Sequence, residues 1–383
     1  MADKYAEAGV DTAAGDLAVE LMKSAVSATH GPRVVGGVGG FAGLFDVSFL
    51  TSFERPLLAT STDGVGTKVA IAQAIDKHDT IGIDLVGMVV DDIVVVGATP
   101  LFMTDYIACG RVVPSRIADI VAGIARGCSE TATALVGGET AEHPGLLGPD
   151  DYDVAGAATG AVESDAQLGA HLVADGDVVI ALESSGLHSN GYSLVRSIIR
   201  QNKISFLDRS EELGGVVGEV LLEPTRLYTS ALLGLLADAP GAVHALSHVT
   251  GGGIAANLAR VLPVGSWVEL ERSTWSPAAV FRVLAGWGSM TLEETEGTWN
   301  LGVGMIAVVA ASTVDTVIAR LAAGSIPAWT LGVVSTTPHD ITGFDSLPAR
   351  PGHPSAHLGP AGWAQGAKGV DGGAVRLVGQ YRG

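Results

Sequence analysis

The hydrophobic and polar pattern divides the chain into alternating helices and strands. Leu17, Leu21 and Val26 recur at helical spacing, and Asp11 stands ahead of them as a capping acceptor, which predicts a helix to about Ala28. Leu57 to Thr62 is β-like. Thr80 to Gly97 is apolar almost throughout and reads as a helix. Asp84 and Asp91, seven residues apart, share nearly one face of it, with Asp92 about a quarter-turn away. Leu101 to Ala108 reads as a strand with Asp105 in its middle, Ser115 to Thr131 as a helix, Ala134 to Val136 as a buried strand, and Asp153 to Val162 as another strand. A boundary falls near Gly169 to Asp175, and Val178 to Leu182 opens a second α/β unit with a core strand at Ile306 to Ala311. Thr336 to Gly373, rich in Pro, Gly, Ser and His, reads as a loop or disordered insertion. The pattern thus predicts an α/β layered protein with one domain over residues 1–170, a second over 171–336, and a tail over 337–383 with a possible strand at 374–379.

Composition sharpens this picture. With 383 residues, 47% hydrophobic but only 5% aromatic, the cores must be built mainly from Ala, Val, Leu and Ile. The 52 glycines cluster in motifs, which favours ligand loops over low complexity. A net charge of −19 excludes nucleic acid and anionic membranes as expected partners, and any phosphate must be met by backbone N–H groups, a few placed cations and a metal. Cys109 and Cys128 lie in apolar contexts without metal-ligand spacing, so buried free thiols are expected. The first residues lack a leader pattern, and Leu85 to Ala98, the longest apolar segment, is interrupted by Asp91 and Asp92. A cytoplasmic location is therefore expected.

Four polar, glycine-rich segments carry the candidate chemistry. Asp63-Gly64-Val65-Gly66-Thr67-Lys68 follows a strand and offers a tight turn, a carboxylate for a cation and a lysine for phosphate. Its spacing is not that of the common phosphate-binding loop. Gly137 to Gly145 follows a strand and presents Glu139 at a sheet edge. Ser184 to Leu194 gathers hydroxyls, His188 and Asn190 at a helix start, and His248 to Gly253 repeats the arrangement. Gly36-Gly37-Val38-Gly39-Gly40-Phe41 is either a flexible connector or a loop that closes over phosphates with Phe41 as its anchor. Asp91 and Asp92 in apolar surroundings need pairing, hydrogen bonds or a metal, and a metal-facing carboxylate is expected there. Asp105 has a bland alternative as a backbone partner across the sheet. His30, His143 and His171 are expected to be solvated.

Together with Ala8 to Asp11, His78 to Leu85 and Glu223-Pro224-Thr225-Arg226, these motifs resemble the phosphoribosylformylglycinamidine cyclo-ligases, the aminoimidazole ribonucleotide synthetases of purine biosynthesis, from about Tyr5 to Val334. The resemblance implies a homodimer of two-domain α/β subunits whose N-terminal sheets pair into a barrel across the dimer. It implies ATP- and Mg²⁺-dependent closure of formylglycinamidine ribonucleotide to aminoimidazole ribonucleotide, through an iminophosphate, with potassium as a further requirement. On that resemblance, Asp63, Lys68 and His188 are catalytic. ATP is met by Lys23, Gly36, Gly37, Gly39, Gly40, Gly64, Gly66, Thr67, Lys68, Asp92, Gly138 and Glu139. Magnesium is held by Asp63, Asp92 and Glu139, and substrate by His188, Ser189, Asn190, His248 and Thr250. Asp91 stands where the family often has asparagine, Thr99 where an acid is common, and the tail is longer than usual. Selenophosphate synthetases share the fold but carry a reactive Cys near the N-terminal glycine loop, and the first cysteine here is Cys109. A non-catalytic nucleotide-binding paralogue is the alternative from another class.

Overall fold

The computed structural model describes residues 10–337 and 363–382. In its first half, strands Pro56–Gly64 (β1), Thr99–Cys109 (β2), Ala134–Glu142 (β3) and Tyr152–Glu163 (β4) form one sheet in the order β1-β4-β2-β3. β2 and β3 run parallel and the other neighbours antiparallel. Helices Thr12–Ala28 (α1), Val69–Ile75 (α2), Ile81–Val95 (α3) and Pro114–Glu130 (α4) accompany it. Asp11 caps α1 by accepting the Ala14 N–H at 3.0 Å. The expected stripe on α1 is corrected: Ala18 and Val26 are buried, whereas Leu17 and Leu21 are exposed on the neighbouring face.

α3 is buried at nearly every position, because it lies between the sheet, α4 and the second half of the chain. It approaches α4 so closely at Gly82 that a Cβ there would enter the backbone of Ile120 and Ile124. Its two expected same-face acids have a shared task. Asp84 accepts Thr225 N–H at 2.9 Å and Thr225 O–H at 2.7 Å. Seven residues on, Asp91 accepts Thr229 N–H at 2.9 Å and O–H at 2.7 Å, with Tyr228 N–H at 3.1 Å. Asp91 thereby satisfies open N–H groups at the start of the helix Thr229–Asp238, named α6 below. It belongs to this seam, and Asp92 alone of the adjacent pair faces the cleft between the halves.

The second half holds strands Val178–Glu183 (β5), Val243–His248 (β6), Trp267–Glu271 (β7), Val303–Val309 (β8), Ala328–Val333 (β9), Ala364–Ala367 (β10) and Val370–Val378 (β11). One sheet has the antiparallel order β6-β8-β5-β9 and another the order β7-β11-β10, with β7 and β11 parallel. Every residue of β8 is buried, which explains its unbroken apolar run. Tyr192–Gln201 (α5), Thr229–Asp238 (α6) and Gly253–Ala259 (α7) are the helices nearest the cleft. The expectation of a loop over 336–373 is corrected for its end: β10 and the start of β11 are strand, because the hairpin adds to β7 and packs on α7. Residues 338–362 lie outside the described residues.

Candidate functional site

The Asp63–Lys68 segment turns at the end of β1. Val65 N–H reaches the Val154 carbonyl at 3.0 Å, and Gly66 takes φ +71°, a conformation that favours glycine. A 3-10 turn over Gly66–Lys68 then sends the lysine inward. Lys68 Nζ donates to Asp84 at 2.8 Å, to the His188 carbonyl at 2.9 Å and to the Glu223 carbonyl at 2.7 Å. All three ammonium donors are engaged and the side chain is fully buried. The expectation that Lys68 is free to meet a phosphate is therefore corrected. It ties the turn to the second half from beneath.

His188 needs the same correction. It is 1% exposed, takes φ +60°, and accepts Ser185 N–H on Nε2 at 3.2 Å. Its ring packs near Tyr228, and burial, followed by the charges of His248 and Lys68, holds its pKa well below the usual imidazole range. The ring is enclosed, and its Nδ1 is buried without a partner. Ser189 donates to the Val65 carbonyl at 2.7 Å, and Thr67 meets Ser193 at 3.2 Å, so both hydroxyls join the turn to the start of α5.

Above this floor lies a charged cluster. Asp92 Oδ1 meets His248 Nδ1 at 2.9 Å. Burial raises the Asp92 pKa, but the His248 hydrogen bond and charge, helped by Arg260 and Lys368, outweigh it and hold the carboxyl below its ordinary value. Asp63 moves the other way: burial raises it, and the Asp92 charge adds to that rise against the Gly64 N–H bond. Burial lowers the His248 pKa, yet Asp92, Asp91 and Asp63 raise it further, so the imidazolium is favoured. His248 Nε2 is buried without a partner. Asn190 lies beside Gly251 and donates to Met88 Sδ at 3.6 Å, while Thr250 uses its carbonyl on the Asn257 amide at 3.1 Å. Two carboxylates whose charges oppose each other fit a divalent cation.

A second station lies under α1. A cavity of about 430 Å³ is lined by Asp16 and Met22 of α1, by Gly37, Gly39 and Gly40, and by Asp105, Gly138 and Glu139. Gly36 and Gly39 take φ +93° and +103°. Phe41 is fully exposed, which corrects its expected role as an apolar anchor. Lys23 lies outside the lining residues, 56% exposed and 3.9 Å from Glu20. Burial lifts the Asp105 carboxyl to about 7. Asp105 was underrated by its sequence, since alternation in a strand does not reveal a cavity beside it. His30 bonds the Leu135 carbonyl at 2.8 Å instead of being solvated.

The expected metal triad is not assembled within one chain. The ladder aligns Asp63, Gly156, Asp105 and Gly138 in one row across the sheet. Glu139 is one position beyond that row, opposite Tyr106, so strand alternation turns it to the other face. It is also three strand spacings from Asp63, about 14 Å. Glu139 was expected just past a strand end, but the parallel ladder with β2 carries β3 through Gly137 and Gly138 to Glu142. Among the described residues no three His, Cys, Asp or Glu side chains are grouped to hold a metal. Cys109 and Cys128 are buried free thiols, as expected. Arg260 and Lys368 carried no motif and were missed.

Comparison with known proteins agrees with this architecture. The family model described as AIR synthase related protein, N-terminal domain, matches residues 48–162, and its C-terminal counterpart matches residues 174–344. A phosphoribosylformylglycinamidine cyclo-ligase of Geobacillus thermodenitrificans is 46% identical over 335 residues, covering 87% of this chain and 96% of the relative. Among solved structures, thiamine-monophosphate kinase from Stenotrophomonas maltophilia superposes with a TM-score of 0.61 at 15% identity, covering 96% of this chain and 97% of the other. The hydrogenase maturation protein HypE, solved in complex with ATP, gives 0.55 at 17% identity, covering 84% and 85%. No described helix is long and apolar enough to cross a membrane. The motifs, the two-domain fold and the extent of this identity show that the chain belongs to the phosphoribosylformylglycinamidine cyclo-ligase family.

Proposed function

We propose that the protein closes formylglycinamidine ribonucleotide to aminoimidazole ribonucleotide at the expense of ATP. The γ-phosphoryl group passes to the formyl amide oxygen, turning a poor leaving group into phosphate. The substrate's own amidine nitrogen attacks the iminophosphate carbon, phosphate departs, and a proton is lost as the imidazole ring forms. Such transfer asks mainly for positioning and charge neutralisation. Asp63 and Asp92 would hold magnesium, which when bound would neutralise phosphate charge. His248, whose charged form its acidic neighbours favour, offers its unpartnered Nε2 to the substrate, together with Asn190 and Thr250. The cavity under α1 takes the nucleotide, with Gly36 to Gly40 as its cover. Lys68, Ser189 and Thr67 position the Asp63 turn from below.

The observation that carries this reading is the Asp63–Asp92–His248 cluster in a chain 46% identical to a cyclo-ligase over nearly its whole length. The test is turnover: purified protein with formylglycinamidine ribonucleotide and MgATP should release one ADP and one phosphate for each aminoimidazole formed. ATP binding without turnover would leave a nucleotide-binding paralogue instead.

We further propose that the active form is a homodimer working in the cytoplasm. Leu58 and Tyr106 on the open sheet face, like Leu17, Leu21, Phe41 and Leu44 elsewhere in the chain's first half, are exposed apolar groups that a second copy would cover. Sedimentation at micromolar concentration tests the dimer. Potassium is proposed only as a requirement of the assay, to be tested by replacement with sodium.

A further inference from the structure

The cavity under α1 holds a group that an apolar pocket does not need. Ala18 and Val26 of α1, Val121 of α4 and Leu135 of β3 line it, and all four are buried. Asp105 of β2 lines the same space. Its carboxyl leans over Gly138, its ladder partner on β3, so closely that a Cβ there would strike it. The bare glycine thus keeps a place for this carboxyl beside the cavity. Among the described residues the carboxyl bonds only its own backbone N–H. A polar group set among apolar walls without a further partner is costly unless something else meets it. What can meet it here is whatever fills the cavity.

The lining also tells which end of a nucleotide lies beside Asp105. No Lys, Arg or His is among the described residues that line the cavity, whereas Asp16 and Glu139 do line it. A triphosphate has no cation to meet there, and the apolar walls suit a planar base. The triphosphate then extends towards the glycine-rich segment Gly37 to Gly40. Adenine carries an amino group on its edge, a donor that one carboxyl oxygen can accept.

We propose that Asp105 is the base-reading residue of this cavity, its carboxyl accepting the exocyclic amino group of adenine. The proposal rests on the reading that the cavity takes ATP, and it requires no particular fate of the γ-phosphoryl group. Burial favours the uncharged carboxyl, whose carbonyl oxygen still accepts, so the contact does not need a bare negative charge in the pocket. A ribose hydroxyl is the other donor a nucleotide could bring to the same oxygen, and the probes below separate the two.

The test titrates the parent, Asp105→Asn and Asp105→Leu by calorimetry, with Mg²⁺ and without formylglycinamidine ribonucleotide. The probes are ATP, purine riboside triphosphate, which lacks only the amino group, and 2′-deoxy-ATP. The parent should bind ATP about tenfold more tightly than purine riboside triphosphate. Asp105→Asn keeps an acceptor and should hold most of that preference, while Asp105→Leu should bind the two within about twofold. Any penalty for 2′-deoxy-ATP should be equal in the three proteins. A parent without the preference, or a preference that survives Asp105→Leu, would overturn the proposal. So would a 2′-deoxy-ATP penalty that vanishes in Asp105→Leu, since the carboxyl would then hold the ribose. If the affinities come out as expected but the parent turns no formylglycinamidine ribonucleotide over, the cyclo-ligase reading fails and the base contact stands. If the parent binds none of the probes, both fail.

Discussion

Lys68 Nζ and Asp84 Oδ1 lie 2.8 Å apart where neither side chain touches solvent. Burial pushes the Lys68 pKa down and the Asp84 pKa up, and each charge opposes the shift of the other. Removing one member strands the other, at a cost of about 3–5 kcal/mol. Lys68→Met should unfold at markedly lower urea, and Lys68→Met with Asp84→Leu should recover part of the loss. Urea melts of the three proteins check this. A Lys68→Met protein of parental stability but weak ATP binding would return the lysine to the phosphate.

Asp105 gives a pH signature. Its folded pKa is about 7, against an ordinary 3.8, because burial disfavours the charge. Between those values the folded chain holds more protons than the unfolded one, so this group's contribution to stability is full below about 3.8 and is lost as pH rises to 7. The loss is on the order of 2 kcal/mol for a partly exposed group. Asp105→Asn should therefore gain stability relative to the parent as pH is raised through that window, read as the difference between their urea midpoints. A constant difference would place the carboxyl's titration elsewhere.

Asp92→Asn tests the metal assignment. Losing the charge beside His248 and Asp63 should weaken Mg²⁺-dependent ATP binding about tenfold, with little change when magnesium is withheld. Nucleotide titrations across a magnesium series distinguish the cases, and identical affinities throughout would remove Asp92 from the metal.

Two glycines serve as packing probes. A Cβ at Gly138 would strike the Asp105 carboxylate, and one at Gly82 would strike the α4 backbone. The second obstacle cannot rotate away, so Gly82→Ala should cost about 2–3 kcal/mol and Gly138→Ala less. Thermal melts that rank them in the opposite order would mean that the α3–α4 crossing yields more easily than the sheet.

The glycine-rich cover should change with ligand. A Cβ at Gly36, Gly37 or Gly39 would stand in open space, and Gly37 to Gly40 line the cavity. Amide exchange over this segment should slow when MgATP binds. Equal protection with and without nucleotide would contradict its role.

The elements were legible where one physical signal dominated. α1 was announced by Asp11, α3 by a long, mostly apolar run, β8 by an unbroken one, and the cleft by glycine turns flanked by Asp63, Asp92 and His248. What a linear pattern could not reveal was direction. Lys68 and His188 sit in motifs rich in ligand-type residues, yet a 3-10 turn and a left-handed backbone leave both side chains buried. Glu139 was misjudged because the ladder to β2, a long-range interaction, extends a strand through two glycines.

The seam along α3 also governs traffic. Asp84 and Asp91 fasten that helix to the opposite lobe at two points a full seven residues apart. Prying the lobes apart would bare a dry charge pair, so such excursions are populated on the order of one time in a thousand or less. Entry and exit then belong to the rim rather than to a hinge.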